Sequence, residues 1–236
     1  MLALFVELRS ILTPLLTPRL IVGEREAHLY WLDAIGCGSQ WRFLLEASMA
    51  GLASVCRWLA GRALPWRFEF AHARPAAIEQ YWVHLDEEVR FDCHVDCMRI
   101  ANKYLHQTWS GGSLTAASVA RREAMRQLAA QGPVDGLLGA LQDVLERRLQ
   151  TSPNLDAVAQ LFGSSPATFK RKLTKHGTHF QQQLDLTRKR VALHLYRVCG
   201  YTNQQVADYL HFNDVTNLRR SFKRWTGLSP RALKQG

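Results

Sequence analysis

Acidic residues are what the last third of this 236-residue chain lacks. Residues 151–236 hold four Asp/Glu against fourteen Lys/Arg, whereas residues 1–150 hold sixteen of each. The net charge of +10 therefore lies wholly on the C-terminal part. A solvated surface spreads such an excess; a face that binds a polyanion concentrates it. Other absences exclude other functions. Five cysteines, an odd number without regular spacing, make no disulfide framework. Neither a nucleotide-binding glycine loop, a nucleophile elbow nor an HExxH string occurs, so no catalytic residue and no cofactor is expected.

Long hydrophobic runs are also missing. The N-terminal stretch MLALFVELRSILTPLL is rich in leucine, but Glu7, Arg9, Pro14 and Pro18 break both a signal core and a membrane helix. In residues 43–60, Glu46 and Arg57 leave only ten uncharged positions between them, which reads as a buried helix. No membrane partner is expected, and the thiols should be reduced in the cytoplasm. Cys93, His94, Asp96 and Cys97 look like metal donors. On a strand, however, the two cysteines stand ~13 Å apart at ~3.3 Å per residue, and His94 faces away from both. Core cysteines and no metal are expected.

The length suits one large or two ordinary domains. In the front part, residues 3–16 read as a helix stopping near Pro14 and Pro18, and Leu20 to Ile35 as a strand or hairpin. Trp41 to Leu59 reads as a helix ended by Gly61. WRFEF places Trp66, Phe68 and Phe70 on one strand face and Arg67 and Glu69 on the other. Pro75 should open a helix carrying Ile78, Tyr81, Trp82 and Leu85. EEVRFDCHVDCM then reads as a strand, with Val89, Phe91, Cys93, Val95 and Cys97 inward and Arg90, Asp92, His94 and Asp96 outward. A helix from about Ser113 to Gln131 precedes a boundary at GPVDG, residues 132–136. The expected fold is an α+β domain over 1–131 followed by an all-α domain over 132–236.

The all-α part states one phrase twice. Residues 158–173 read VAQLFGSSPATFKRKL, and residues 206–222, starting 48 positions later, read VADYLHFNDVTNLRRSF. Each is a short amphipathic helix, a turn and a second helix with apolar anchors four apart, Phe169/Leu173 and Leu218/Phe222. A basic pair follows the first anchor in each, Lys170-Arg171 and Arg219-Arg220. This is the layout of two helix-turn-helix units that bind DNA. Before them, Leu137, Leu138, Leu141, Val144, Leu145 and Leu149 form one apolar helix face. Ser152-Pro153 should start the next helix, buried through Leu155, Val158, Ala159 and Phe162. Gly163 should turn the chain, and Ser165-Pro166 should cap and open the first recognition helix. A long helix from Phe180 to Cys199, with Phe180, Leu184, Val191, Ala192 and Leu195 inward, joins the units; Thr202 and Gln205 form a capping box for the second. A linker of ~19 residues spans ~28 Å, near the ~34 Å between successive major grooves. One chain could then read what usually takes a dimer, bending the DNA where the protein spacing falls short.

These residues resemble the AraC/XylS transcriptional regulators. The resemblance covers roughly 137–236 and rests on Leu155-x2-Val158-Ala159, Ser165-Pro166, Gly177-Thr178-x-Phe180 and Arg188-x3-Ala192. Its most specific string is Phe222-Lys223-Arg224-Trp225-Thr226-Gly227-Leu228-Ser229-Pro230. FEFAHARPAAIEQYW followed by VRFDC is similar to the arabinose-binding-type sensor domain of one branch, whose members carry a longer N-terminus; the front domain is therefore expected to be incomplete. The resemblance implies an activator of transcription that inserts two recognition helices into successive major grooves of promoter DNA and contacts RNA polymerase. Whether a small-molecule effector binds stays open. An effector-independent shortened form competing with a longer paralogue is one alternative. A DNA alkyl-repair protein with this module is another, opposed by the scattered cysteines it would need for zinc.

Matched by position, the family's DNA face falls on Ser165, Ala167, Thr168, Lys170 and Arg171 in the first unit, and on Asn213, Thr216, Asn217, Arg219 and Arg220 in the second. Arg171 and Arg220 suit guanine, and Asn217 suits adenine. Lys172, Lys175, Lys189 and Lys223 suit phosphates. Phe169, Leu173, Leu218, Phe222 and Trp225 should be core. The family's Leu-Gly-Phe is here Leu210-His211-Phe212, so histidine is expected to take a positive φ.

Overall fold

The computed structural model describes residues 2–85, 88–131 and 136–235. The chain divides into two compact units, Met1–Gly136 and Leu137–Gly236. Most of GPVDG lies outside the described residues.

The first unit opens with two short helices, α1 (Leu2–Glu7) and α2 (Arg9–Leu12), ahead of strand β1 (Leu16–Val22). The helical reading of 3–16 was thus too long. Pro18 belongs to a strand, which it tolerates because β1 is an edge of the sheet. Strand β2 (Glu26–Asp33) folds back on β1 antiparallel, with Leu16 opposite Asp33 and Val22 opposite Ala27. Helix α3 (Trp41–Ala60) ends at Gly61, whose φ of 67° is the left-handed C-cap that glycine takes without strain. There follow β3 (Arg67–Glu69), α4 (Glu79–Leu85), β4 (Val89–Arg90), β5 (Cys97–Ala101), α5 (Asn102–Leu105) and α6 (Leu114–Gln131). The sheet order is β1-β2-β5-β3-β4, with only β3 and β4 parallel among the described pairs.

One sheet face is apolar by strand alternation. Leu29, Trp31, Phe68, Phe70, Met98 and Ile100 pack against Leu45, Met49, Leu52 and Cys56 of α3. Each such side chain contributes about 1.5–3 kcal/mol of burial. Helix α3 is long and apolar enough in composition to cross a membrane. Its use here is visible in this packing: one face is core, while Phe43, Val55 and Trp58 are exposed.

Two further expectations in this unit fail. The helix after Pro75 begins only at Glu79, and Trp82 is exposed while Ile78, Tyr81 and Leu85 are buried. The single strand expected over EEVRFDCHVDCM is broken. Asp92 sits at φ 56°, its N–H donating to His72 O at 3.0 Å, so β4 stops at Arg90. The break resets the alternation: Asp96 accepts from Ala71 N at 2.8 Å and Trp41 Nε1 at 3.3 Å, and Cys93 is only half-buried.

The second unit is helical throughout: α7 (Leu137–Arg148), α8 (Leu155–Leu161), α9 (Pro166–Lys175), α10 (Phe180–Arg197), α11 (Asn203–Tyr209), α12 (Val215–Thr226) and α13 (Pro230–Gln235). Leu138, Leu141, Leu145 and Leu149 are buried, and α10 buries Leu184, Val191, Ala192, Leu193, Leu195 and Tyr196. Proline does not open α8. Ser152 takes φ 49°, and Asn154 caps the helix by accepting from Ala157 N at 2.8 Å.

Arg190 is a charge inside this core, 2 % exposed, with Nη2 2.8 Å from Glu146 Oε2 on α7. Removing the carboxylate leaves a buried guanidinium unpaired. Glu146→Ala should therefore destabilise the chain by about 2 kcal/mol, less than for a fully buried pair because Glu146 is itself partly exposed. Urea unfolding followed by circular dichroism measures this, and an unchanged midpoint would contradict it.

Candidate nucleic-acid interface

Each helix-turn-helix is built by local chemistry that fixes its exposed face. In the first, the Phe162 ring packs tilted against Phe169 at 5.0 Å, and Phe169 and Leu173 are fully buried. Gly163 turns the chain at φ 58°. Ser165 Oγ accepts from Thr168 N at 3.2 Å, and Pro166 sits in the first helical turn. In the second, Thr202 and Gln205 form a capping box on α11, and Asp214 Oδ1 caps α12 by accepting from Asn217 N at 2.7 Å. Leu218 and Phe222 are fully buried.

Burial of those anchors turns the basic side chains outward. Ser165, Ala167, Lys170, Arg171, Lys172 and Lys175 are exposed on or beside α9, with Thr168 half-exposed. Asn213, Thr216, Asn217, Arg219, Arg220 and Lys223 are exposed at or on α12. Lys189 on α10 is half-buried and engaged. Trp225, expected in the core, is half-buried and lies 6.0 Å from Phe212. Some candidates are held by neighbours: Ser165 Oγ donates to Thr168 Oγ1 at 3.0 Å, Lys172 Nζ donates to Ser164 Oγ at 3.0 Å, and Asn217 Nδ2 donates to Asp214 Oδ2 at 2.8 Å. Asn217 still presents its carboxamide oxygen and one remaining N–H, the acceptor and donor that adenine N6–H and N7 require, while the Asp214 bond holds the amide in place. Sequence reasoning overlooked Asp214, although an Asn-Asp pair just ahead of an amphipathic helix is a readable cap signal.

The two units are joined through a stiff corner and a strut. After α9, Gly177 takes φ 67° and Thr178 N donates to Leu173 O at 3.2 Å. Thr178 Oγ1 accepts from Gln183 Nε2 at 3.0 Å, and Gln142 Nε2 donates to Gln183 Oε1 at 3.3 Å, tying the corner to α10 and α7. At the far end Tyr196 packs edge-on to Phe222 at 5.3 Å, and its hydroxyl donates to Asn203 Oδ1 at 3.0 Å. Burial pushes that phenol up to about 12. Arg188 lies 5.2 Å over the Phe212 ring, its pKa drawn down by burial, and Arg224 Nη2 reaches Asp185 Oδ2 at 3.1 Å. These contacts fix the second unit on α10.

Comparison with known proteins agrees with this architecture. The arabinose-binding domain of AraC transcription regulators, N-terminal, matches residues 2–109, and a helix-turn-helix domain matches residues 158–236. The chain is similar to AraC-type transcription regulators across these two matches. It is 28% identical over 212 residues to the ornithine utilization regulator of Pseudomonas aeruginosa, covering 89% of this chain and 62% of that one. It is 27% identical over 203 residues to the HTH-type transcriptional regulator VirS of Mycobacterium tuberculosis, covering 80% of this chain and 56% of that one. The chain thus spans roughly three fifths of these AraC-type relatives. Among solved structures, the transcriptional regulator CdpR from Pseudomonas aeruginosa aligns over 100% of this chain and 77% of that one at 18% identity, with a TM-score of 0.41.

His211 holds the turn of the second unit at φ 57°, its N–H donating to Asp208 O at 3.2 Å. A residue with a Cβ is strained there, whereas glycine is not. His211→Gly should raise stability by about 0.5–1 kcal/mol. Thermal unfolding of the two proteins checks this, and destabilisation by the glycine would show that the imidazole makes a contact worth more than the strain.

Proposed function

We propose that this chain regulates transcription by binding double-stranded promoter DNA through α9 and α12, placed in successive major grooves. The observation that carries the reading is the pairing of two basic, exposed recognition helices with a linker whose ends are both locked by buried side chains. In this reading Arg171 and Arg220 read guanine in bidentate fashion, and Ala167, Thr168, Thr216 and Asn217 line the base edges. Lys170, Lys172, Lys175, Arg219 and Lys223 meet phosphates or groove edges, while Ser165 and Asn213 sit at the helix entrances. The family relationship supports action as an activator that touches RNA polymerase in the cytoplasm, with the first unit as an effector-sensing domain.

Two measurements test this. If about six phosphates are neutralised, log K should fall against log[salt] with a slope near −5, and a flat dependence would contradict DNA binding. Arg171→Ala should cost about 1–3 kcal/mol on the cognate site and relax preference at one base pair. Lys172→Ala should weaken cognate and random DNA alike and make the salt slope shallower by about one. Equal, sequence-independent losses for both variants in competition binding would show that α9 does not read bases.

A further inference from the structure

The first unit carries a half-open cavity of about 240 Å³ at one end of the sheet, lined by charged and apolar groups together. Its charged lining comprises Arg67, Arg99, Lys103, Glu26 and Glu88, beside the ring of Tyr104. That volume equals roughly eight waters at ~30 Å³ each, enough for a metabolite of about ten heavy atoms.

The arrangement of charges is costly as pure scaffolding. Arg67 and Arg99 stand directly opposite each other across the antiparallel β3–β5 pair. Alternation puts both on the sheet face opposite Phe68 and Met98. Like charges at facing positions destabilise a sheet. Carboxylates only partly relieve this pair. Arg67 Nη1 lies 3.0 Å from Glu26 Oε1, but its Nε is 4.0 Å from Glu88 Oε2. Arg99 Nη2 lies 2.8 Å from Glu69 Oε1 and Nη1 is 3.7 Å from Glu26 Oε2, while its Nε is buried with no hydrogen-bond partner among the described residues. Lys103 Nζ sits 5.1 Å over the Tyr104 ring.

We propose that this cavity binds a small zwitterion of the amino-acid class. Its carboxylate bridges Arg67 and Arg99, and its ammonium faces Glu26 and Glu88. The balance of charge selects the class. Three cations face two carboxylates in the lining, and Glu69 behind Arg99 offsets the third, so a ligand of near-zero net charge with separated poles leaves nothing uncompensated. A neutral sugar offers no charged pole to either the guanidiniums or the carboxylates that face the cavity, and a diamine would bring positive charge that nothing in the lining offsets. The inference rests on the first unit's reading as a sensor and is independent of DNA binding.

The test is calorimetric titration of the full chain with the proteinogenic L-amino acids and L-ornithine, and with succinate, putrescine and L-arabinose as class controls. At least one amino acid should bind saturably with Kd below about 1 mM. Arg67→Gln should weaken it about tenfold or more, since a charge-assisted contact is lost. Arg67 is half exposed, so this variant keeps its fold, which circular dichroism checks. Glu88→Gln, at a more exposed carboxylate, should weaken the amino acid while leaving succinate unchanged. The proposal is overturned if no amino acid binds, if succinate, putrescine or arabinose binds better, or if Arg67→Gln leaves the affinity unchanged. Loss of DNA binding with ligand binding intact would fault the DNA reading alone.

Discussion

The second unit depends on the burial of α10. Nine of its eighteen residues are buried, and they include Gln183, Thr187 and Arg190 beside the aliphatic ones. Apolar burial supplies most of the free energy, but the polar members set the geometry. A slide of α10 along α7 would break the Gln142–Gln183 bond and strand the Arg190 guanidinium away from Glu146. Helix α10 is thus held at a single register. Because α9 reaches it through the Gly177–Thr178 corner and α12 packs on it through Phe222, that register also sets where the two basic faces stand.

Much of this was legible in the sequence, for an identifiable reason. The repeated phrase couples three signals of different origin: helical spacing of Phe169/Leu173 and Leu218/Phe222, cap residues at Ser165 and Thr202, and glycine at the turn. Where all three agree, as in α9, element and face followed directly, and in α11 the cap alone marked the start. Even the departure at His211 was readable, since the turn demands a positive φ whatever residue stands there. The same logic misassigned the start of α8. Pro153 and Asn154 both signal a helix entrance, and the side chain able to accept from Ala157 N took the cap.

The first unit was less legible because its strands are short and their ends are set by tertiary contacts. Alternation over residues 89–97 suggested one strand, but a carboxylate at Asp96 was needed to accept from Ala71 and Trp41, and the chain bends at Asp92 to deliver it. Pro18 reads as a helix stop in the sequence and stands in a strand in the fold, since nothing local tells an edge strand from a helix end. The candidate DNA face was visible as a set of residue types, whereas the bonds Lys172–Ser164 and Asn217–Asp214 that modify its chemistry depend on the folded turn.

The central claim is that one chain holds two recognition helices at a fixed separation. On the mapped binding site, base pairs inserted between the two half-sites test it most directly. A rigid α10 predicts that insertion of about five base pairs, half a helical turn, and of about ten, a full turn, both reduce affinity to that of a single half-site. Retained affinity on the ten-base-pair insertion would mean that the two helix-turn-helix units move independently, and would contradict the account.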